Sequence, residues 1–262
     1  MKNRIFILIL ILCSLKIFGC SCIFENIAQD YLDADFVGIV TVKKTYDTQN
    51  IQFKNNFKRS TYKAELVFEK IYKGTEFNVL NIYGKANIEN ENDFFVGSCD
   101  LYIEKGEKYL VILNKNKNNE FWVSLCSRVI PLSSEENNTT DDLEKINSYS
   151  NLFSNIEKFK DSFSKLKFVN FSHKTLKSND ITNELETDFT KLNINKPNEK
   201  VGFYKIVLNN NLKISKIIPI KKIGVKDKEI ENIIKKNLSL DKYSYPHYNS
   251  KEYLLLLSFE DL

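Results

Sequence analysis

The chain has 262 residues, 42% hydrophobic and 13% aromatic, which is ample for a core of one large domain or two modest ones. Its 38 basic and 34 acidic residues leave a formal charge of +4. A surface so mildly basic and well mixed excludes any charge-based argument for a nucleic-acid partner.

In chain order, Lys2 and Arg4 lead into the apolar run from Ile5 to Leu12, and a small residue follows at Gly19. This is the pattern of an export signal over residues 1–19, too short for a membrane span. Cleavage after Gly19 starts the mature chain at Cys20-Ser21-Cys22. A first cysteine brings a free α-amine and a thiol to one point, so a disulfide can tie the terminus while the amine stays open as a metal ligand. Cys13 leaves with the signal, and Cys20, Cys22, Cys99 and Cys126 remain, an even number that allows three pairings. In an oxidising compartment two bridges are expected. If Cys20 and Cys22 tether the start to Cys99 and Cys126, loops of about 80 to 100 residues close, each constraining the unfolded chain by about 4–5 kcal/mol in the entropy model. Cys20–Cys99 with Cys22–Cys126 and the crossed alternative are equal on these grounds. A rival reading takes Ile17-Phe18-Gly19-Cys20 as a bacterial lipobox, with Cys20 acylated and anchored to a membrane. Phe18 is bulky for that motif and acylation strands one of the other three thiols, so a disulfide-bonded Cys20 is the expectation. Either way the chain is exported.

Ile23, Phe24, Ile27, Ala28 and Tyr31 line one face of a short helix over Ile23–Leu32. Phe36–Val42 reads as a strand, with Gly38 marking a close backbone approach. Tyr62, Ala64, Leu66 and Phe68 alternate along a long strand that ends at Lys73-Gly74. Phe77–Tyr83, Lys108–Leu113 and Phe121–Leu125 add three more strands, and Asp47–Lys58 is a long polar loop. Five strands, one early helix and cystine-tied ends predict a small closed or nearly closed β-barrel over residues 20–132. Ser133–Asp142 is a polar break opening a linker over 133–200. Within it Leu152, Ile156, Phe159, Phe163 and Leu166 form an amphipathic stripe, read as a helix packed on its neighbour. Lys174–Pro197 is a loose connector. The last unit, residues 201–262, is β-β-α-β. It has a hairpin turned at Asn209-Asn210-Asn211, a helix over Asp227–Leu238 buried through Ile230, Ile233, Ile234 and Leu238, and a strand over Tyr253–Phe259.

Several segments, in this order, resemble the netrin-like domain of the tissue inhibitors of metalloproteinases and its bacterial secreted relatives. They are Cys20-Ser21-Cys22, Ala34-Asp35-Phe36-Val37-Gly38-Ile39-Val40, Tyr72-Lys73-Gly74, Gly97-Ser98-Cys99, Gly106-Glu107-Lys108-Tyr109-Leu110-Val111-Ile112 and Leu125-Cys126-Ser127-Arg128. The resemblance implies a five-stranded OB-type barrel with its N-terminus pinned by Cys20–Cys99 and Cys22–Cys126. It implies that the Cys20 amine and carbonyl chelate the zinc of a partner protease, that Ser21 enters the primary specificity pocket, and that Gly97-Ser98-Cys99 forms the neighbouring edge. A neutral α-amine suits an open zinc position. The third cystine of the animal inhibitor domain and its six-cysteine tail have no counterpart here. The final unit resembles in outline the C-terminal domain of TonB-type energy-transducing proteins, through its hairpin, the helix start at Asp227-Lys228-Glu229-Ile230 and the closing strand, with Tyr245-Pro246 as an echo of that domain's strand opening. That implies a protein-binding unit.

No catalytic constellation stands out. His173 and His247 lie outside any metal-ligand spacing, and no nucleophile elbow, P-loop or dinucleotide fingerprint occurs. Glu89/Glu91, Glu135/Glu136 and Asp141/Asp142 read as solvated loop acids, and Trp122 alternates with Phe121 and Val123 to face outward. The sequence therefore predicts an exported, non-catalytic protein-binding module that needs no cofactor and binds no nucleic acid. Its implied partner is a zinc metalloprotease. The alternative is an envelope lipoprotein scaffold anchored at Cys20.

Overall fold

The computed structural model describes Cys22 and residues 24–52, 58–86, 99–134, 140–173, 200–240 and 250–259. The expected signal, Cys20, Ser21, Gly97, Ser98, Glu89/Glu91, Glu135/Glu136, the Lys174–Pro197 connector, Tyr245-Pro246 and His247 lie outside the described residues. The protein is mainly β, with a curled half-barrel sheet and few helices.

Helix α1 (Ile27–Asp33) starts where the Ala28 amide donates to the Asn26 side chain at 3.0 Å. It leads into β1 (Phe36–Thr45), followed by β2 (Gln49–Gln52), β3 (Lys58–Lys73) and β4 (Leu80–Tyr83). Then come β5 (Glu107–Leu113), β6 (Trp122–Val123) and β7 (Arg128–Ser134). These seven strands form one sheet in the order β6-β4-β3-β1-β5-β7, with β2 paired to β3. The sheet has seven strands where five are expected. β2 falls in the stretch read as a polar loop, and β7 follows the last expected strand.

The strand at one end of this order connects directly to the strand at the other. β6 runs parallel to β4, Asn81 opposite Trp122 and Ile82 opposite Val123. β7 runs antiparallel to β5, with Ile112 opposite Arg128. Only the Ser124–Ser127 turn separates β6 from β7, closed by the Ser127 amide on the Ser124 carbonyl at 2.9 Å. Cys126 sits in that turn.

Strand alternation divides the residues of this curled sheet between two cores. Phe36, Val40, Val42, Tyr62, Leu80, Ile82, Tyr109, Val111, Phe121 and Val123 fill the inside of the curl. Val37, Ile39, Leu110, Ile112 and Leu132 face outward and are covered by helices, so β1 is buried on both sides. Gly38 lies where β1 crosses β3: a Cβ there would stand 2.8 Å from the Lys70 carbonyl oxygen and 2.8 Å from the Phe36 ring. Gly74 turns the chain out of β3 with φ +84°, a left-handed backbone suited to glycine.

The outer layer is α2 (Thr140–Phe159), continued by a 3-10 turn over Lys160–Phe163. Leu152, Phe153, Ile156 and Phe163 are fully buried, so the predicted stripe packs on its neighbours. Asp142, expected in a solvated loop, is in the first turns of this helix and is buried. Beyond it β9 (Val201–Leu208), β10 (Ile214–Lys221) and β12 (Glu252–Ser258) form a three-stranded sheet in the order β10-β9-β12. Helix α3 (Asp227–Asn237) covers it through Ile230 and Ile234, with Ile233 half-buried. Leu238 is buried in β11 (Leu238–Leu240), which pairs with β8 (Phe171–His173) as a two-stranded ribbon, so His173 stands opposite Leu238.

One core joins these parts. Ala28 and Tyr31 of α1, Val37 and Leu110 of the curled sheet, Phe153 and Ile156 of α2, Phe168, which bridges to Leu254, and Phe203 and Leu254 of the last sheet pack in a single apolar cluster. The Phe168 amide donates to the Gln29 side-chain oxygen at 2.9 Å in a buried bond, and Asn26 donates to Asn170 at 3.0 Å. Helix α1 and its cap are thus held by the curled sheet and by the Phe168–Asn170 stretch.

Candidate binding face around the cystines

Cys22 is bonded to Cys126 across 104 residues, with the two Cα atoms 5.1 Å apart. This removes the crossed arrangement that sequence left open. Cys99 is also disulfide-bonded. Its carbonyl accepts the Leu125 amide at 3.1 Å and an Arg59 N–H at 3.1 Å. Cys22, Cys99 and Cys126 therefore gather at the β6–β7 turn. Cys20, Ser21, Gly97 and Ser98, the other expected site residues, adjoin them in sequence and lie outside the described residues.

Arg128, the first residue of β7, organises this corner. Its Nη2 donates to the Glu25 carbonyl at 2.7 Å, its Nε donates to the Asp30 carboxylate, and its guanidinium lies 5.2 Å from the centre of the Phe24 ring. One side chain thus ties the stretch after Cys22 to the strand after Cys126. The geometry is that of a charge-assisted clamp. Burial pushes the Asp30 carboxyl above its ordinary value, even though Arg128 pulls the other way.

Beside the clamp is an aromatic row. The Arg59 guanidinium lies 4.1 Å from the Tyr83 ring centre and forms an ion pair with Asp100 at 3.6 Å. Tyr83 packs against Trp122 with centroids 4.9 Å apart. The indole N–H of Trp122 donates to Glu120 at 3.0 Å, and the residue is half-buried rather than fully outward-facing. Phe24 and Leu125 are 45% and 48% exposed, which leaves apolar surface open next to the Cys22–Cys126 bridge. Between Phe24, Trp122 and Arg128 lies a hollow of 240 Å³.

Sequence reasoning quoted Arg128 only as part of a motif and missed the roles of Arg59, Tyr83 and Phe24. A lone arginine names no partner, and Asp30 is 98 positions away. A second cleft, 550 Å³, opens between Gly74–Asn78, Lys63, Lys115 and Phe121. Among the described residues no three His, Cys, Asp or Glu side chains assemble to hold a metal ion, and no helix is long and apolar enough to cross a membrane.

No protein-family model matches the chain, and no curated protein matches it.

Proposed function

We propose that the protein is an exported, non-catalytic protein-binding module on an OB-type, netrin-like barrel, and that its working end is a mature N-terminus at Cys20. The observation that carries this reading is the cystine corner. Cys22 is held by Cys126, and Cys99, itself oxidised, is hydrogen-bonded to the residue before Cys126. Of the five cysteines only Cys13 and Cys20 are left to pair with Cys99, and Cys13 lies in the stretch read as a leader. Cys20–Cys99 is the pairing we assign. The parallel β4–β6 contact and the β4-β3-β1-β5-β7 order support the barrel type.

Two bridges at Cys20 and Cys22 fix the terminus and leave its α-amine as a neutral ligand for an open zinc position. The partner class is a zinc metalloprotease, with Cys20 on the metal, Ser21 in the adjoining specificity pocket and Gly97-Ser98 along the rim. An acylated Cys20 has no thiol for Cys99, so the oxidised Cys99 speaks against a lipid anchor.

The deciding experiment titrates zinc proteases with the mature protein and with a form carrying one extra alanine before Cys20. Inhibition by the native terminus alone is the expected result. Equal inhibition by both forms, or none by either, overturns the zinc-chelating reading for the proteases tested.

A further inference from the structure

We infer that the hollow between Phe24 and Trp122 is a binding site for a basic side chain, an arginine or lysine presented by the partner protein. The site rests on the protein-binding reading above and gives it a specificity element that neither cystine supplies.

Three observations carry it. The walls are apolar and aromatic: Phe24, Trp122 and Ile112 line the hollow beside the Cys22–Cys126 bridge. Its lining is unbalanced in charge, with two acidic residues, Glu25 and Asp30, against one basic residue, Arg128. Arg128 is already committed, for it holds Asp30, the Glu25 carbonyl and the Phe24 ring. The residues lining the hollow thus carry one net negative charge.

A basic side chain answers both features. Its methylene stem lies along apolar walls while its head reaches a carboxylate, and a cation is drawn to the face of an aromatic ring, tryptophan above all. The same surface already pairs cations with rings twice, Arg59 with Tyr83 and Arg128 with Phe24. An acidic side chain would meet a lining of its own charge sign, and a purely apolar one would leave that charge uncompensated.

Trp122 is the only tryptophan in the chain, so its emission reports on the hollow directly. The probe is N-acetyl-arginine methylamide, with N-acetyl-citrulline methylamide as the neutral match in shape. A saturable emission change with the arginine amide and none with the citrulline amide is expected. Glu25→Gln should weaken the midpoint about tenfold by removing a charged hydrogen-bond partner. Phe24→Ala, which removes one apolar wall of the hollow, should weaken it as well, read by calorimetry. A response equal for both amides, an arginine response that does not saturate, or a midpoint unmoved by Glu25→Gln would overturn the site. The extra alanine before Cys20 leaves this titration unchanged, so failure of the zinc-chelating reading and failure of this site are distinguishable.

Discussion

The Leu125 amide donates to the Cys99 carbonyl at 3.1 Å, one position before the half-cystine that holds Cys22. A backbone bond and a disulfide thereby bring three distant stretches of chain to one turn. Non-reduced peptide mapping of the mature protein should recover Cys22 linked to Cys126 and Cys99 linked to Cys20. Replacing Cys22 and Cys126 together by alanine releases a 104-residue loop and should lower unfolding free energy by about 3–5 kcal/mol in urea titrations. A loss under about 1 kcal/mol would show that the bridge restrains little in the unfolded state.

Phe153 is the hinge of the shared core. It is 1% exposed, stacks on Tyr31 at 4.7 Å and meets Tyr72 edge-on at 5.0 Å. Phe153→Ala should cost about 3–5 kcal/mol. Because its cluster includes Val37 of the curled sheet and Leu254 of the last sheet, wild-type unfolding should be a single transition. Trp122 fluorescence, which reports the curled seven-stranded sheet, and far-UV circular dichroism, which reports all elements, should give the same midpoint. Separate midpoints would mean that the two sheets unfold independently.

Gly38→Ala tests the close approach of β1 to β3. The added methyl would sit 2.8 Å from the Lys70 carbonyl oxygen, a backbone atom that cannot swing aside. A loss of about 1–3 kcal/mol is expected from overpacking, measured by thermal or urea unfolding. A neutral result would show that β3 shifts to make room.

Asp30 gives a pH signature. Burial outweighs the Arg128 attraction and raises its folded-state value above the ordinary one. The folded state then binds a proton more readily than the unfolded state. Its contribution to stability is fully present below the unfolded value and is lost as pH rises through the higher folded value. Relative to Asp30→Asn, the wild type should therefore gain stability as pH falls from about 7 to below the ordinary aspartate value of about 3.9. Urea midpoints of both proteins across that range check this. The opposite trend would mean that the ion pair with Arg128 outweighs desolvation.

Much of the fold is legible in the residues themselves. The alternation of Tyr62 and Ala64 with polar neighbours marks β3, and the stripe through Leu152 and Ile156 marks α2, because side-chain direction repeats every two residues in a strand and every 3.6 in a helix. β7 escaped that test. Val129, Ile130 and Leu132 do not alternate with polar residues, and Pro131 stands opposite Tyr109 where the pairing slips register. β2 escaped it too, because Gln49-Asn50-Ile51-Gln52 is polar and owes its conformation to pairing with Lys58–Thr61 of β3.

For the candidate binding face, the sequence by itself determined the residues near the cystines and their order along the chain. It could not choose between two cystine pairings, since both close loops of similar length. Only the tertiary structure joined Cys22 to Cys126, set Arg128 between Glu25 and Asp30, and laid Trp122 beside Tyr83. Local periodicity follows from backbone geometry and is written in every few residues. Contacts across a hundred residues follow from which surfaces exclude water together, and that is decided only when the whole core packs.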